Sequence, residues 1–437
     1  MAHVAEANIP GLSDTPAVSR LFAWVIFALT FGLLLSDYMS RQVLNAVFPL
    51  LKTEWGLSDT QLGSLSGVVA LMVGLLTFPL SLAADRWGRI ASLKIMALVW
   101  SLATLACGLA GNYGEMFAAR FVVGVGEAAY GSVGVALVLS VFPAHLRSTL
   151  AGAFLAGGMF GSVLGMAVGG VVAAKLGWRW SFHAMALFGL LVLAAFAIIV
   201  TERRVAPEME EGARQSRTRT SRFSFHTLIP GLFSARSVIC AYLGSGLQLV
   251  IVGALVAWMP SYLNRNYGLA TDRASVGAAA FVLLSGIGMI ACGAVADRVS
   301  RKDPSNKFNM AIVYAIATFA FFFVGFRLEP GVAQLAFVGV GIFFAAGTAG
   351  PAAAMVANVT HISIHATAFA TLSLANNLLG MAHGPMIAGA ISDRWGLLAA
   401  FQWLPFMCLA AALAFTIGKR YYASDVARLE AQSGGPA

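Results

Sequence analysis

Ser81-Leu82-Ala83-Ala84-Asp85-Arg86-Trp87-Gly88-Arg89-Ile90 and Gly293-Ala294-Val295-Ala296-Asp297-Arg298-Val299-Ser300-Arg301-Lys302 are two versions of one charged hinge. Each is flanked on both sides by a run of about 20 apolar residues, the length a helix needs to cross a bilayer. Their aspartates lie 212 residues apart. A second pair of turns, Gly177-Trp178-Arg179-Trp180 and Asp393-Arg394-Trp395-Gly396, repeats with its arginines 215 residues apart. Two unrelated features at nearly one offset point to a duplicated six-helix unit. Parallel halves of this kind build one large class of transporter folds.

Working outward from the hinges, apolar runs predict spans at 21–43, 60–82, 91–111, 115–142, 148–174 and 180–200, then at 238–263, 274–296, 308–327, 331–357, 364–390 and 397–418. The fourth and eleventh are long enough to be tilted or broken. The expected architecture is all-α and integral to the membrane, with twelve transmembrane helices in two pseudo-symmetric bundles. Its parts are an N-tail (1–20), a first bundle (21–200), a linker (201–236), a second bundle (237–418) and a C-tail (419–437). Nineteen of the 28 Lys and Arg residues fall on the side of the termini and seven on the other, which predicts cytoplasmic termini.

Composition agrees. Of 437 residues, 59% are hydrophobic and 11% charged, too few charges to cover a soluble surface of this size. Mean hydropathy is +0.80. The net charge of +9 sits in loops between apolar runs, so it reads as a topology signal and not as a nucleic-acid footprint. The four cysteines lie in apolar stretches without metal-ligand spacing. No nucleotide-binding loop or enzyme motif occurs, so neither cofactor nor metal is expected.

The Asp-Arg-x-x-Arg pattern of the hinges suits a latch. A carboxylate can cap a neighbouring helix and pair with arginine, holding two bundles together in one state and releasing them in another. Asp85, Arg86, Arg89, Asp297, Arg298 and Arg301 are the candidates; plain positive-inside anchoring is the simpler alternative.

The chain resembles the major facilitator superfamily. Residues 293–302 follow that family's loop signature, and the copy at 81–90 departs from it with Ser81 in place of glycine. Tyr38-Met39-Ser40-Arg41-Gln42-Val43-Leu44, Leu57-Ser58-Asp59-Thr60-Gln61-Leu62-Gly63, the run from Arg120 through Glu127 to Tyr130, and Gly177 to Phe182 resemble the spinster-like group, with part of the pattern shared by organic anion symporters. That group usually has aspartate directly before the span-1 arginine. Ser40 stands there, and Asp37 is the nearest carboxylate.

Asp37, Arg41, Arg120 and Glu127 are ionisable residues well inside spans, where a charge costs roughly 2.5–3.5 kcal/mol on insertion scales. Asp37 and Arg41 share a helix face. Arg120 and Glu127 are two turns apart, about 10 Å along the axis. With span 1 running outward and span 4 inward, Arg41 and Arg120 are expected at similar depth and Glu127 deeper. The resemblance implies that spans 1 and 4 line a central cavity. Glu127 and Asp37 are then candidates for proton exchange, and Arg41, Arg120, Tyr130, Asn376, Asn377 and His383 for substrate contact. A static salt-bridge cluster is the competing reading.

The glycines around 157–170 have the spacing of a close helix crossing and are expected to face the other half. The functional expectation is a secondary transporter of an organic or amphipathic anion, its expected partners being protons, a small-molecule or lipid-like anion and the bilayer. A monomer in a bacterial inner membrane is expected. An uncoupled facilitator or a transporter-like receptor would have the same fold.

Overall fold

The computed structural model describes residues 19–143, 146–202, 205, 235–360 and 364–433, and these are nearly all helical. The first half holds α1 (Arg20–Trp55), α2 (Asp59–Trp87), α3 (Arg89–Leu109), α4 (Tyr113–Glu127), α5 (Tyr130–Val141), α6 (Arg147–Leu176) and α7 (Trp178–Ile199). The second holds α8 (Arg236–Tyr267), α9 (Thr271–Val299), α10 (Asn306–Gly325), α11 (Val332–Ala345), α12 (Ala349–Val359), α13 (His365–Ala375), α14 (His383–Trp395), α15 (Leu397–Trp403) and α16 (Phe406–Ser433). Most of the expected linker and the first 18 residues lie outside the described residues.

Eleven helical spans among the described residues are long and apolar enough to cross a membrane. The expected span at 364–390 is helical but broken, by a π-helical turn at Asn376–Met381 between α13 and α14. The span at 115–142 breaks after Glu127, between α4 and α5. At that break the Ala128 carbonyl accepts a hydrogen bond from Thr77 Oγ1 of α2 at 2.6 Å. Without water in the hydrocarbon region, a broken helix persists only where protein meets its backbone groups.

The helix ends follow the local sequence. Ser58 caps α2 and forms a reciprocal capping box with Gln61. Gly177 and Gly396, at matched places in the two halves, both close one helix and open the next, with φ 94° and 86°. Only glycine adopts that backbone without strain, so the repeated Trp-Gly and Gly-Trp turns are one device used twice.

Of the α6 glycines expected to face the other half, Gly170 does so and the rest do not. Gly157, Gly158, Gly161, Gly165 and Gly169 lie against Phe31, Tyr38, Leu35, Met39 and Val43 of α1, within the first bundle. They let two backbones of one bundle approach closely. The contact of α6 with the second half runs instead through Gly170 against Ser275 and Met159 against Gly286, both on α9.

The two halves share a core at one end only. Val43, Phe48, Leu62 and Val69 pack into one continuous cluster with Ile251, Trp258, Tyr262 and Phe401. Phe48 and Trp258 have ring centroids 5.0 Å apart across the halves. Toward the chain termini the core divides. Ile26, Leu33, Leu137 and Phe154 cluster in the first half, and Val238, Phe308, Val356 and Phe415 in the second. The bundles are therefore joined at the end distal to the termini and part toward the terminal end.

Candidate functional site

At mid-depth, where the shared core gives out, α1 and α4 bring the four intramembrane charges together. Arg41 Nε lies 3.2 Å from Asp37 Oδ1 and 2.6 Å from Glu127 Oε2. The Asp37 contact is a hydrogen bond. The Glu127 contact is a close ion pair, and neither Glu127 oxygen receives an aligned hydrogen bond. Two buried carboxyls thus share one guanidinium nitrogen. Helical side chains tilt toward the helix N-terminus. That tilt carries the Arg41 head back along α1 toward Asp37 and Glu127, and away from Arg120.

Arg120 takes a different role from the one its sequence position suggests. It donates to the backbone carbonyls of Ser40 (2.9 Å), Leu65 (3.3 Å) and Arg41 (3.4 Å). It is 1% exposed, and its rigid fork braces α4 against α1 and α2. Ser40, which stands where the resembling group has aspartate, turns its hydroxyl back onto the Ser36 carbonyl at 2.9 Å.

A cavity of about 50 Å³ lies beside this cluster, between the halves. Its polar wall is Arg41, Gln42, Asn45 and Arg120, with Ser66 from α2. The second half contributes Val256, Met381 and Pro385, with Asn377 as its one polar side chain. The Arg41 side chain keeps 20% of its surface exposed, whereas those of Asp37 and Glu127 keep 2% and 0%. Arg41 is therefore the charge an entering molecule meets first.

The π turn brings Asn377 to the cavity. Ala382 N reaches back five residues to the Asn377 carbonyl at 2.8 Å, while the Asn377 side chain donates to the Ser373 carbonyl at 3.0 Å. Turns of this kind occur frequently at functional sites. Asn376 is not among the cavity-lining residues, and its Oδ1 is buried without a hydrogen-bond partner. Tyr130 lies away from the cavity, fully buried against Trp100 and donating to the Thr30 carbonyl at 2.9 Å. His383 is exposed on the face of α14 that carries Met386 and Ile387. Neither reaches the cavity.

Among the described side chains, no hinge residue bridges the halves. Arg89 donates to Ala136 O at 3.4 Å within the first half, and Asp297 pairs with Lys307 within the second. Arg86, Arg298 and Arg301 are exposed. The side chain of Asp85 lies outside the described residues.

Charged bridging occurs at the distal end instead. Asp59 at the start of α2 receives Arg265 of the second half through two bonds, 2.6 and 2.8 Å, together with Lys52 at 2.5 Å and the Ser392 hydroxyl. Asp393 returns the contact by accepting from the Asp59 and Thr60 amides at 2.7 and 2.9 Å, which caps α2 from across the interface. Along the same seam Gly63, Gly67 and Gly389 let α2 and α14 meet backbone to backbone. Sequence reasoning missed this network, although Asp59 and Asp393 both sit in quoted motifs. The missed cavity residues, Gln42 and Asn45, stand next to Arg41 and one turn beyond it.

Residues 30–378 match the profile of the Major Facilitator Superfamily. The chain is 24% identical to the hexuronate transporter of Bacillus subtilis (strain 168) over 367 residues, covering 82% of this chain and 86% of that one. It is 25% identical to protein spinster homolog 1 of Xenopus laevis over 387 residues, covering 85% and 73%. In fold it is similar to a bacterial homolog of the human lysosomal transporter Spinster, solved in an inward-facing and unoccupied conformation. That comparison has a TM-score of 0.81 at 17% identity over 93% of this chain and 99% of the other.

Proposed function

The chain belongs to the Major Facilitator Superfamily, and from that membership we propose that it is a proton-coupled secondary transporter of a small organic anion, working by alternating access. The observation that carries the reading is the shared nitrogen: Asp37 and Glu127 both lean on Arg41, and Arg41 alone of the three faces the cavity. A substrate carboxylate that binds Arg41 competes with both buried carboxyls. Two carboxylates deprived of their cation repel each other in a low-dielectric site, and one proton relieves the repulsion. Anion binding and proton binding then favour one another, which is the requirement for symport. Glu127, the carboxyl without an aligned donor, is the proton acceptor in this scheme, and Asp37 its partner.

The polar cavity wall of Arg41, Gln42, Asn45, Ser66 and Asn377 favours a small polar acid over a lipid-like substrate. The related hexuronate transporter supports the same choice. The Lys and Arg bias supports placing the terminal end in the cytoplasm of a bacterial inner membrane. In that orientation the arrangement described is closed outward and parted inward, with the distal seam as the outer gate. The hinges at 81–90 and 293–302 would latch the inner end in the opposite state.

The test is flux into liposomes under an imposed pH gradient, comparing wild type with Glu127→Gln. Gradient-driven accumulation of an organic acid by wild type is expected. Glu127→Gln should lose accumulation while still exchanging labelled for unlabelled anion. Accumulation that survives in Glu127→Gln would rule out the coupling role and leave an uncoupled facilitator.

A further inference from the structure

The cavity wall carries a polar pair that the charge scheme does not use. Asn45 Nδ2 donates to Gln42 Oε1 at 2.7 Å. Both side chains are nearly buried, 3% and 9% exposed, and both line the cavity. Asn45 Oδ1 is buried with no hydrogen-bond partner, and the bond from Asn45 occupies the Gln42 amide oxygen and leaves the Gln42 amide nitrogen to donate elsewhere. One acceptor and one donor therefore stand side by side. Exchanging N and O in both amides preserves this outcome, because the new bond again consumes one donor and one acceptor.

We propose that the Gln42–Asn45 pair reads a hydroxyl group on the transported anion, at the end of the molecule remote from its carboxylate. This inference rests on the reading of the cavity as an organic-anion site. A hydroxyl is the small neutral group that both donates and accepts, so it satisfies the two amide atoms at once. A second carboxylate would meet the acceptor with like polarity, and a methyl group would leave both atoms unpaired, at a cost that buried polar groups make steep. The placement follows from the helix. Asn45 lies one turn beyond Arg41 on the same face, about 6 Å further along the axis, while the Arg41 head tilts the opposite way toward Asp37 and Glu127. A carboxylate on Arg41 and a hydroxyl on the amide pair must then sit at opposite ends of a compact acid.

Three probes separate the possibilities: benzoate, 2-hydroxybenzoate and 4-hydroxybenzoate, titrated calorimetrically into the purified full-length protein. The expected order has 4-hydroxybenzoate binding roughly tenfold or more tightly than the other two. Gln42→Leu and Asn45→Leu should each bring that ratio close to one, the ratio and not the benzoate affinity itself being the readout. Retained benzoate binding also shows that the variants fold, and Asn45→Ser serves in place of a leucine variant that does not. If wild type binds all three acids alike, or if the variants keep the wild-type ratio, the hydroxyl-reading role is overturned and the anion site stands. If no acid binds, the anion reading itself fails and this inference falls with it.

Discussion

At the scale of single residues, the four buried charges divide into two jobs. Arg41 has one face on its carboxyls and one on the cavity, whereas Arg120 spends its donors on three carbonyls. Arg120→Lys keeps the charge but cannot reach all three acceptors, so it should cost about 2 kcal/mol of stability, seen as a lower thermal unfolding midpoint in detergent. Arg41→Lys should leave the midpoint much closer to wild type and weaken anion binding instead. If Arg120→Lys unfolds like wild type, the bracing role is wrong. The types of these residues and their membership of spans 1 and 4 were legible in the sequence. Which arginine spends its donors on backbone carbonyls was not, because spacing along one helix says nothing of its rotation against its neighbours. The same gap placed Tyr130 and His383 among substrate contacts, although one donates to the Thr30 carbonyl and the other lies on an exposed helix face.

At the scale of elements, the seam between α2 and α14 sets how closely the halves can join. A Cβ at Gly67 would collide with the Ala382 carbonyl, and one at Gly63 with the Pro385 carbonyl. Backbone cannot swing aside as a side chain can. Gly67→Val should therefore hold the distal end apart, and spin labels at exposed Thr53 and Arg273 should report a longer distance than in wild type. An unchanged distance would mean that the seam yields elsewhere. Length and hydropathy made the spans legible, and the two long ones are broken as their lengths hinted. The glycines of α6 show the limit of that reading. Their spacing announced a close crossing, but a four-residue stripe fits any smooth partner, and α1 of the same bundle fills it.

At the scale of the whole molecule, stability is concentrated at the distal end, where one core and one ionic network serve both halves. Burial pushes the Asp393 carboxyl upward, but hydrogen bonds from the Thr60 hydroxyl and from the Thr60 and Asp59 amides outweigh it and hold the group below its ordinary 3.8. A lowered value means that ionised Asp393 favours closure. That contribution is complete above pH 3.8 and fades as the pH falls through the lower value of the closed state. The distance between the Thr53 and Arg273 labels should thus grow on acidification below about pH 4, and Asp393→Asn should show the longer distance already at neutral pH. Arg265→Gln should loosen the same end without abolishing the fold, since each half keeps its own cluster near the termini. None of this network could be read as a network from the sequence: Asp59 is 206 residues from Arg265 and 334 from Asp393, and no periodicity links them. That separation also has a consequence in biosynthesis. At roughly 5–20 residues per second, the ribosome needs about 17–67 s to travel from Asp59 to Asp393. For that interval α2 of the nascent first bundle is capped by Ser58 alone, and Asp59 has Lys52 but lacks at first Arg265 and then the second half's Ser392, so the bundle relies on its internal glycine-mediated packing until the last helices arrive.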